Sequence, residues 1–171
     1  MILYEKIRTI SIEMEEAAAQ SPYQAVNGLW LSLVKLANCL PTIGEEHEQV
    51  LSLLRKLSRE QAAAICSCRG VDTLLELDPP LETVLADGRE RLQPLNAARE
   101  LARVRERRSS DPKAALASLF EIVQRIRDKR EHGFKTPRGP RDQQILGAAM
   151  DILSAMARAG LAIVESQVRA Q

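Results

Sequence analysis

Apolar residues recur every three or four positions along most of this chain, which is the spacing of one face of an α-helix. The first such stripe predicts a helix from residue 2 to about residue 19. Its members are Leu3, Ile7, Ile10, Met14 and Ala17. Glu13, Glu15 and Glu16 lie beside this stripe, so the segment is expected to be a helix that packs on one face.

A second helix is predicted to begin after Ser21 and to run towards Pro41. Ser21-Pro22-Tyr23-Gln24 has the layout of a capping box, with proline at the first helical position. The inner face is predicted to contain Leu29, Leu33, Leu36 and Leu40. Trp30, a candidate stacking surface for a nucleic-acid base, is interpreted instead as a core residue because it lies between two leucines.

Between residues 45 and 69 two short helices are expected to meet near Ser58, where Ser58-Arg59-Glu60-Gln61 repeats the capping pattern. His47 lies among glutamates in the first turn of this region, so it is predicted to be a solvated residue without a role. Asp78-Pro79-Pro80 and Asp87-Gly88 interrupt residues 70–94. That stretch is expected to be a short-helix insertion that joins the two halves of the domain.

Two longer helices are predicted in the second half. Asp111-Pro112 is a helix-start signal, and the following helix should cover about residues 112–132. Its apolar stripe consists of Leu116, Leu119, Phe120, Val123 and Ile126. The last helix should cover about residues 142–169, and its many alanines would let another helix approach closely, in the same chain or in a partner. It is therefore also a candidate dimer element.

The composition narrows the class of protein. A chain of 171 residues suits one domain, and aromatic residues make up only 3% of it, so aliphatic side chains must build the core. We predict a single all-α domain over residues 1–171. No apolar run approaches the roughly 20 residues that span a bilayer and the amino terminus lacks a signal-peptide layout, so we expect a cytoplasmic protein without a membrane partner.

Three cysteines, Cys39, Cys66 and Cys68, are too few and too close together for a disulfide framework, so we expect reduced thiols. With only two histidines in the chain, no recognisable zinc spacing exists. We therefore predict no metal and no cofactor.

Arg127 and His132 stand out in the predicted helix 112–132. Arg127 follows Phe120 by seven residues and so falls on the apolar face, where a charged group must be paired or must meet an anion. Gly133 suits the position just after the helix, which would leave His132 in the last turn, partly exposed. Arginine followed after four intervening residues by histidine therefore predicts a functional pair.

The charge is concentrated around this pair. Residues 99–141 contain 13 Lys or Arg against 6 acidic residues, a net charge of +7, whereas residues 1–98 carry −5. This contrast is expected of a cleft that binds a polyanion, although a solvated basic helix face would show the same pattern.

The segment from Val123 to Lys135 resembles the signature of the HEPN superfamily, an all-helical group rich in ribonucleases, in which arginine is followed after four to six residues by histidine. The likeness continues through residues 136–143, which are similar to the proline-containing turn and the Arg-Asp pair that open the last helix of many bacterial members. It is specific over about residues 112–156. Elsewhere it is architectural and implies an up-and-down bundle with a short-helix insertion.

This resemblance implies a metal-independent endoribonuclease that acts as a symmetric homodimer. Attack by the ribose 2′-oxygen on the adjacent phosphate would be assisted by His132, while Arg127 would stabilise charge on the phosphoryl oxygens. Asp128, four residues before His132, could orient its ring. The further candidates for contact with RNA phosphates are Lys129, Lys135, Arg138 and Arg141. Many relatives are toxins or defence proteins held by an antitoxin or another regulatory protein.

Two alternatives remain. Some HEPN members have lost activity, so the chain could be a non-catalytic helical module that binds RNA, a nucleotide or a partner protein through the same cleft. Other members are modified on a tyrosine two residues after the histidine. Phe134 occupies that place here, which argues against the second alternative.

Overall fold

The computed structural model describes residues 2–77, 94–131 and 139–170, and within these ranges the chain forms eight helices and no strand. The helices are α1 (Ile2–Ala18), α2 (Pro22–Ala37), α3 (Glu46–Arg55), α4 (Arg59–Cys66), α5 (Arg69–Leu75), α6 (Pro94–Arg107), α7 (Pro112–Glu131) and α8 (Pro140–Arg169). The prediction of an all-α protein is confirmed. The last helix begins two residues earlier than expected, at Pro140.

Local signals in the sequence explain where several helices begin. Ser58 caps α4 with a complete capping box, in which its hydroxyl accepts from the Gln61 backbone N–H and the Gln61 side chain accepts from the Ser58 N–H. Asp111 caps α7 by accepting from the Ala114 N–H at 3.2 Å. Ser21 stands at the N-cap of α2 as expected, but its side chain makes no capping hydrogen bond, so that part of the prediction is wrong.

The long helix α8 lies at the centre of the packing and makes its most extensive contacts with α2, α5 and α1. Its inner face includes Ile145, Ile152 and Met156, all fully buried. A small residue on α8 lets a neighbouring side chain approach closely. Leu53 packs so near to Gly160 that a Cβ added to this glycine would lie 3.0 Å from Leu53 Cδ2. Within the described residues, the close approach that the alanine-rich sequence predicted is therefore made by helices of the same chain.

The predicted apolar stripes of α1, α2 and α7 are confirmed. Ile7, Ile10, Met14 and Ala17 are buried and Leu3 packs on the core from a half-buried position. Three of the four predicted inward leucines lie on α2 and the fourth, Leu40, follows its end, and all four are buried. Every member of the α7 stripe from Leu116 to Ile126 is buried as well. Trp30 is 1% exposed, so its interpretation as a core residue is also confirmed.

The region after α4 opens with a third short helix, α5, at the start of the stretch where a short-helix insertion was expected. This helix packs against α8. Its contact is close because Gly70 has no side chain, and the Gly70 N–H donates to Asp151 Oδ2 at 2.6 Å. Residues 78–93, which hold the two turn signals of the predicted insertion, lie outside the described residues.

Helix α8 is also long and apolar enough to cross a membrane by length and composition, and 50% of its most apolar window is buried inside the protein. The expectation that no apolar run approaches a spanning length is therefore corrected for this helix. The core helix of a bundle meets the same test, so the cytoplasmic location stays a prediction.

Candidate functional site

Arg127 lies near the carboxyl end of α7, on the face that packs against α2. Its side chain is only 23% exposed, and its guanidinium carbon stands 5.3 Å from the centre of the Trp30 ring. This distance is within the range of a cation–π contact. The stripe position that singled out Arg127 in the sequence therefore corresponds to a half-buried charge resting on an aromatic ring.

Trp30 connects Arg127 to a small aromatic cluster. Its ring stacks on Phe120, with ring centres 5.4 Å apart and an angle of 8° between the planes. The imidazole of His47 contacts the same phenyl ring at 5.1 Å with a tilt of 36°. Three helices, α2, α3 and α7, thus meet at one group of three aromatic rings and one guanidinium.

His47 is not the solvated residue that its acidic neighbours suggested. It is 31% exposed and is held through both ring nitrogens by side chains of α7: Gln124 Oε1 accepts from Nδ1, and Glu121 Oε1 lies 3.0 Å from Nε2. The prediction failed because Glu121 and Gln124 are more than 70 positions away in sequence. They are brought to His47 only by the packing of α3 on α7.

The turn that leads into α3 depends on Gly44. This residue has φ = 107°, a conformation that side chains other than hydrogen disfavour. Its carbonyl accepts from Gln49 Nε2 at 2.8 Å, which ties the turn to the first turns of the helix. The chain is thereby directed into α3, where His47 contacts α7.

An open pocket of about 630 Å³ lies between this turn, α2 and α7. Its lining residues are Trp30, Val34, Asn38, Gly44, Glu45, Glu46, His47, Gln49, Gln124 and Arg127. Volumes of roughly 300–1,000 Å³ are usual for small-molecule sites. The pocket combines a buried aromatic floor with a cation and with carboxylates, so it can take a ligand that has both acceptors and donors.

Two N–H groups of the pocket residues are buried without a partner. Nε1 of Trp30 and Nε of Arg127 have no hydrogen-bond partner among the described residues. Among the described residues, the one polar partner of the Arg127 guanidinium is Asp128, whose Oδ1 is 3.4 Å from Nη1, which is long for a hydrogen bond. A buried donor without an acceptor costs about 1–3 kcal/mol, so both groups are expected to lower the stability of the fold.

The other candidate site residues are only partly within the described structure. Asp128 lies beside Arg127 on α7 and is half exposed, and Arg141 lies half-buried in the first turn of α8. The backbone of Lys129 belongs to α7, but its side chain lies outside the described residues. His132, Lys135 and Arg138 lie outside them as well. The pairing of Arg127 with His132, and of Asp128 with His132, therefore stays a prediction.

Several Lys and Arg residues of the basic segment 99–141 form contacts between helices and do not line the pocket. Cations at the junction of α6 and α7 contact groups of neighbouring helices: Arg108 pairs with Asp72 at 2.6 Å, Arg105 donates to the Leu75 carbonyl, and Lys113 donates to the Arg55 carbonyl. All three precede Arg127 by 14 or more residues. For Lys113, which lies on α7, this separation is about 20 Å along the helix axis. The net charge of +7 over residues 99–141 is therefore larger than the positive charge in the neighbourhood of Arg127.

The three cysteines are unpaired. Burial raises the pKa of the Cys66 thiol to about 11 and also raises the pKa values of Cys39 and Cys68. Within the described ranges, no group of three or more His, Cys, Asp or Glu could hold a metal ion. The absence of a metal from the whole protein stays a prediction.

Comparison with known proteins adds no relative, since no protein-family model, curated protein or solved structure matches this chain.

Proposed function

We propose that the protein is a metal-independent endoribonuclease of HEPN type, with Arg127 and His132 as its catalytic pair. The observation that supports this most is the state of Arg127. It is a half-buried arginine on an apolar helix face, placed over Trp30, with its Nε free of any partner among the described residues. A guanidinium held in this way is preorganised for an anionic group, because its donors already lie away from water.

In the proposed reaction the ribose 2′-oxygen attacks the adjacent phosphorus and the bond to the 5′-oxygen breaks. One fragment then ends in a 2′,3′-cyclic phosphate and the other in a 5′-hydroxyl. His132 moves the proton, because imidazole titrates near neutral pH, and Arg127 stabilises the charge on the phosphoryl oxygens. Asp128 orients His132. The proposed contacts to other phosphates are Lys129, Lys135, Arg138 and Arg141.

The same proposal includes a symmetric homodimer, with the two Arg–His pairs lining one cleft of an up-and-down bundle. One pair alone is a sparse site, whereas two related by a two-fold axis supply four groups to one RNA strand. A toxin or defence role in the cytoplasm, under control of an antitoxin or another regulatory protein, belongs to the proposal through the resemblance alone.

The experiment compares cleavage of end-labelled RNA and of a matched 2′-deoxy substrate in excess EDTA. The parent protein should cut RNA only, and mass spectrometry should find the two product ends described above. Arg127→Ala and His132→Ala should each reduce cleavage by about a hundredfold or more while the helical content is unchanged. Arg158→Ala is the matched control, because Arg158 is exposed on α8 outside the pocket.

Cleavage of the deoxy substrate, or activity that EDTA abolishes and magnesium restores, would show that the proposed chemistry is wrong. Equal activity of Arg127→Ala, His132→Ala and the parent would remove the catalytic assignment, provided that the melting curves agree.

A second candidate is a non-catalytic module that binds RNA, a nucleotide or a partner protein in the same pocket. The observation in its favour is the open pocket of about 630 Å³ beside Arg127, a volume that is usual for small-molecule sites. Saturable binding to RNA without any product after prolonged incubation would select this candidate over the nuclease.

A further inference from the structure

Helices α1 and α8 form a groove on the surface of the bundle. Two hollows of about 260 Å³ and about 280 Å³ lie in it, and Ser11 lines both, so the groove is continuous. The two helices run antiparallel there, because Tyr4 shares a hollow with Val168 whereas Ala18 shares one with Ser154. This surface, the α1–α8 face, shares no lining residue with the pocket of the candidate site.

The α1–α8 face exposes apolar side chains to water. Among the described residues four large apolar side chains are exposed, and two of them, Tyr4 and Ile12, line this groove at 60% and 48% exposure. Leu161 and Val168 of α8 line it from half-buried positions. Apolar groups exposed together in a groove with a charged rim are typical of a protein–protein contact.

The charges of this face occur as two pairs of opposite sign at one spacing. Arg8 and Glu15 are seven residues apart on α1, and Arg158 and Glu165 are seven residues apart on α8. Seven residues are close to two helical turns, so both members of a pair lie on one side of their helix. All four line the groove, and none of these side chains has an ion pair or hydrogen bond among the described residues.

The four charges alternate in sign around the groove. Arg8 shares one hollow with Glu165, and Glu15 shares the other with Arg158. Each charge therefore has an unlike charge beside it across the groove and another two turns along its own helix. A face with this arrangement is complementary to itself, because a two-fold rotation in the plane of the face places every charge over one of opposite sign.

We propose that a second copy of this chain docks on the α1–α8 face about a two-fold axis. If the axis crosses the groove, Arg8 meets Glu15 of the second copy and Arg158 meets Glu165. If the axis runs along the groove, Arg8 meets Glu165 of the second copy and Glu15 meets Arg158. In both arrangements Ile12 lies near the centre of the contact and is removed from water.

This contact goes beyond the proposed function and is additional to the homodimer described there, since the α1–α8 face does not include the pocket around Arg127. Exposed ion pairs are individually weak, so we expect the contact to form at high protein concentration. RNA cleavage at micromolar concentration should not depend on it.

Sedimentation equilibrium of the full chain from micromolar to near-millimolar concentration measures the contact. The mass at the highest concentration should reach at least twice that of the species present at micromolar concentration, whether this species is a monomer or a dimer. Raising the salt from about 0.1 M to about 1 M should weaken the association by at least about fivefold, because the Debye length falls from about 10 Å to about 3 Å.

Charge reversal tests the pairing. Arg8→Glu should weaken self-association by at least about tenfold, because two unlike pairs become like pairs by symmetry. Arg55→Glu is the matched control, since it makes the same change at an exposed arginine of α3 that lines neither hollow. An equimolar mixture of Arg8→Glu with Glu15→Arg should regain the affinity of the parent if the axis crosses the groove. A mixture of Arg8→Glu with Glu165→Arg should regain it if the axis runs along the groove.

A constant mass of the parent up to near-millimolar concentration would overturn the inference. So would an Arg8→Glu variant that associates as the parent does, or a failure of both mixtures to regain affinity. The outcome is independent of the nuclease: a protein that self-associates in this way without cutting RNA refutes only the proposed function, and one that cuts RNA but shows no such association refutes only the α1–α8 contact.

Discussion

Two helical glycines, Gly70 on α5 and Gly147 on α8, should respond in opposite ways to substitution by alanine. Gly70 lies on α5 against α8, and a Cβ added there would stand 2.4 Å from the Ala148 carbonyl oxygen and 3.0 Å from Asp151 Cβ. The first distance is shorter than real Cβ contacts and the second is tighter than most of them. The nearest atom belongs to the backbone, which cannot rotate away. Gly147 lies on α8, and an added Cβ there meets nothing within 4 Å in the described part of the chain.

The expected magnitudes follow from these contacts. Gly70→Ala forces α5 away from α8, which costs about 1–3 kcal/mol for overpacking. The shift also weakens the 2.6 Å bond from the Gly70 N–H to the Asp151 carboxylate, a type worth about 1.5–3 kcal/mol, so we expect a total loss of about 2–4 kcal/mol. Gly147→Ala should instead stabilise the protein by about 0.5–1 kcal/mol, because alanine favours a helix interior.

Urea unfolding followed by circular dichroism measures both effects. With a slope of about 2 kcal/mol per M, the urea midpoint of Gly70→Ala should fall by roughly 1–2 M. The urea midpoint of Gly147→Ala should rise by about 0.25–0.5 M. Equal slopes are the control that the unfolded states are comparable. A Gly70→Ala midpoint at or above that of the parent would refute the tight α5–α8 contact.

Three further outcomes are expected. His47→Ala should lower the free energy of unfolding by about 1–2 kcal/mol, since it removes the hydrogen bond to Gln124 and the contacts with Glu121 and Phe120. Glu48→Ala should stay within about 0.5 kcal/mol of the parent, and equal stability of the two variants would contradict the role given to His47. Burial raises the pKa of the Cys66 thiol from 9.0 to about 11, so at pH 8 alkylation of Cys66 should be about a hundredfold slower in the folded protein than after unfolding; the stabilisation from this thiol is present below pH 9 and is lost as the pH rises through 11. Light scattering at micromolar concentration should give twice the mass of the chain, and a monomer whose RNA cleavage is independent of concentration would contradict the proposed dimer.

Most of the helices could be predicted from local sequence. Stripes such as Ile7, Ile10 and Met14 place one apolar face on a helix whatever surrounds it, and the signals at Ser58 and Asp111 satisfy backbone groups within three residues. Ser21 shows the limit of such signals. It occupies the cap position, yet its hydroxyl lies 3.4 Å from the Gln24 side chain and does not reach a backbone N–H.

Within the candidate site, the position of Arg127 could be predicted from the helical spacing of apolar residues. A charge at the stripe position of Arg127 had to be half-buried, and it rests on Trp30. The contribution of His47, Glu45 and Glu46 could not be predicted in this way. Their local sequence is a run of charged residues in the first turn of a helix, which is typical of a solvated face.

The sequence by itself determined the all-α class, most helix boundaries and the inward faces of the long helices, because these follow from hydrogen bonds and apolar spacing within a few residues. Only the tertiary structure decided which helices meet. The contact of α3 with α7 joins His47 to residues more than 70 positions away in the sequence. The hydrogen bond from Gly70 to Asp151 joins α5 to α8 over a separation of 81 residues. Such pairings depend on how whole faces fit together, and so does the pocket over Trp30.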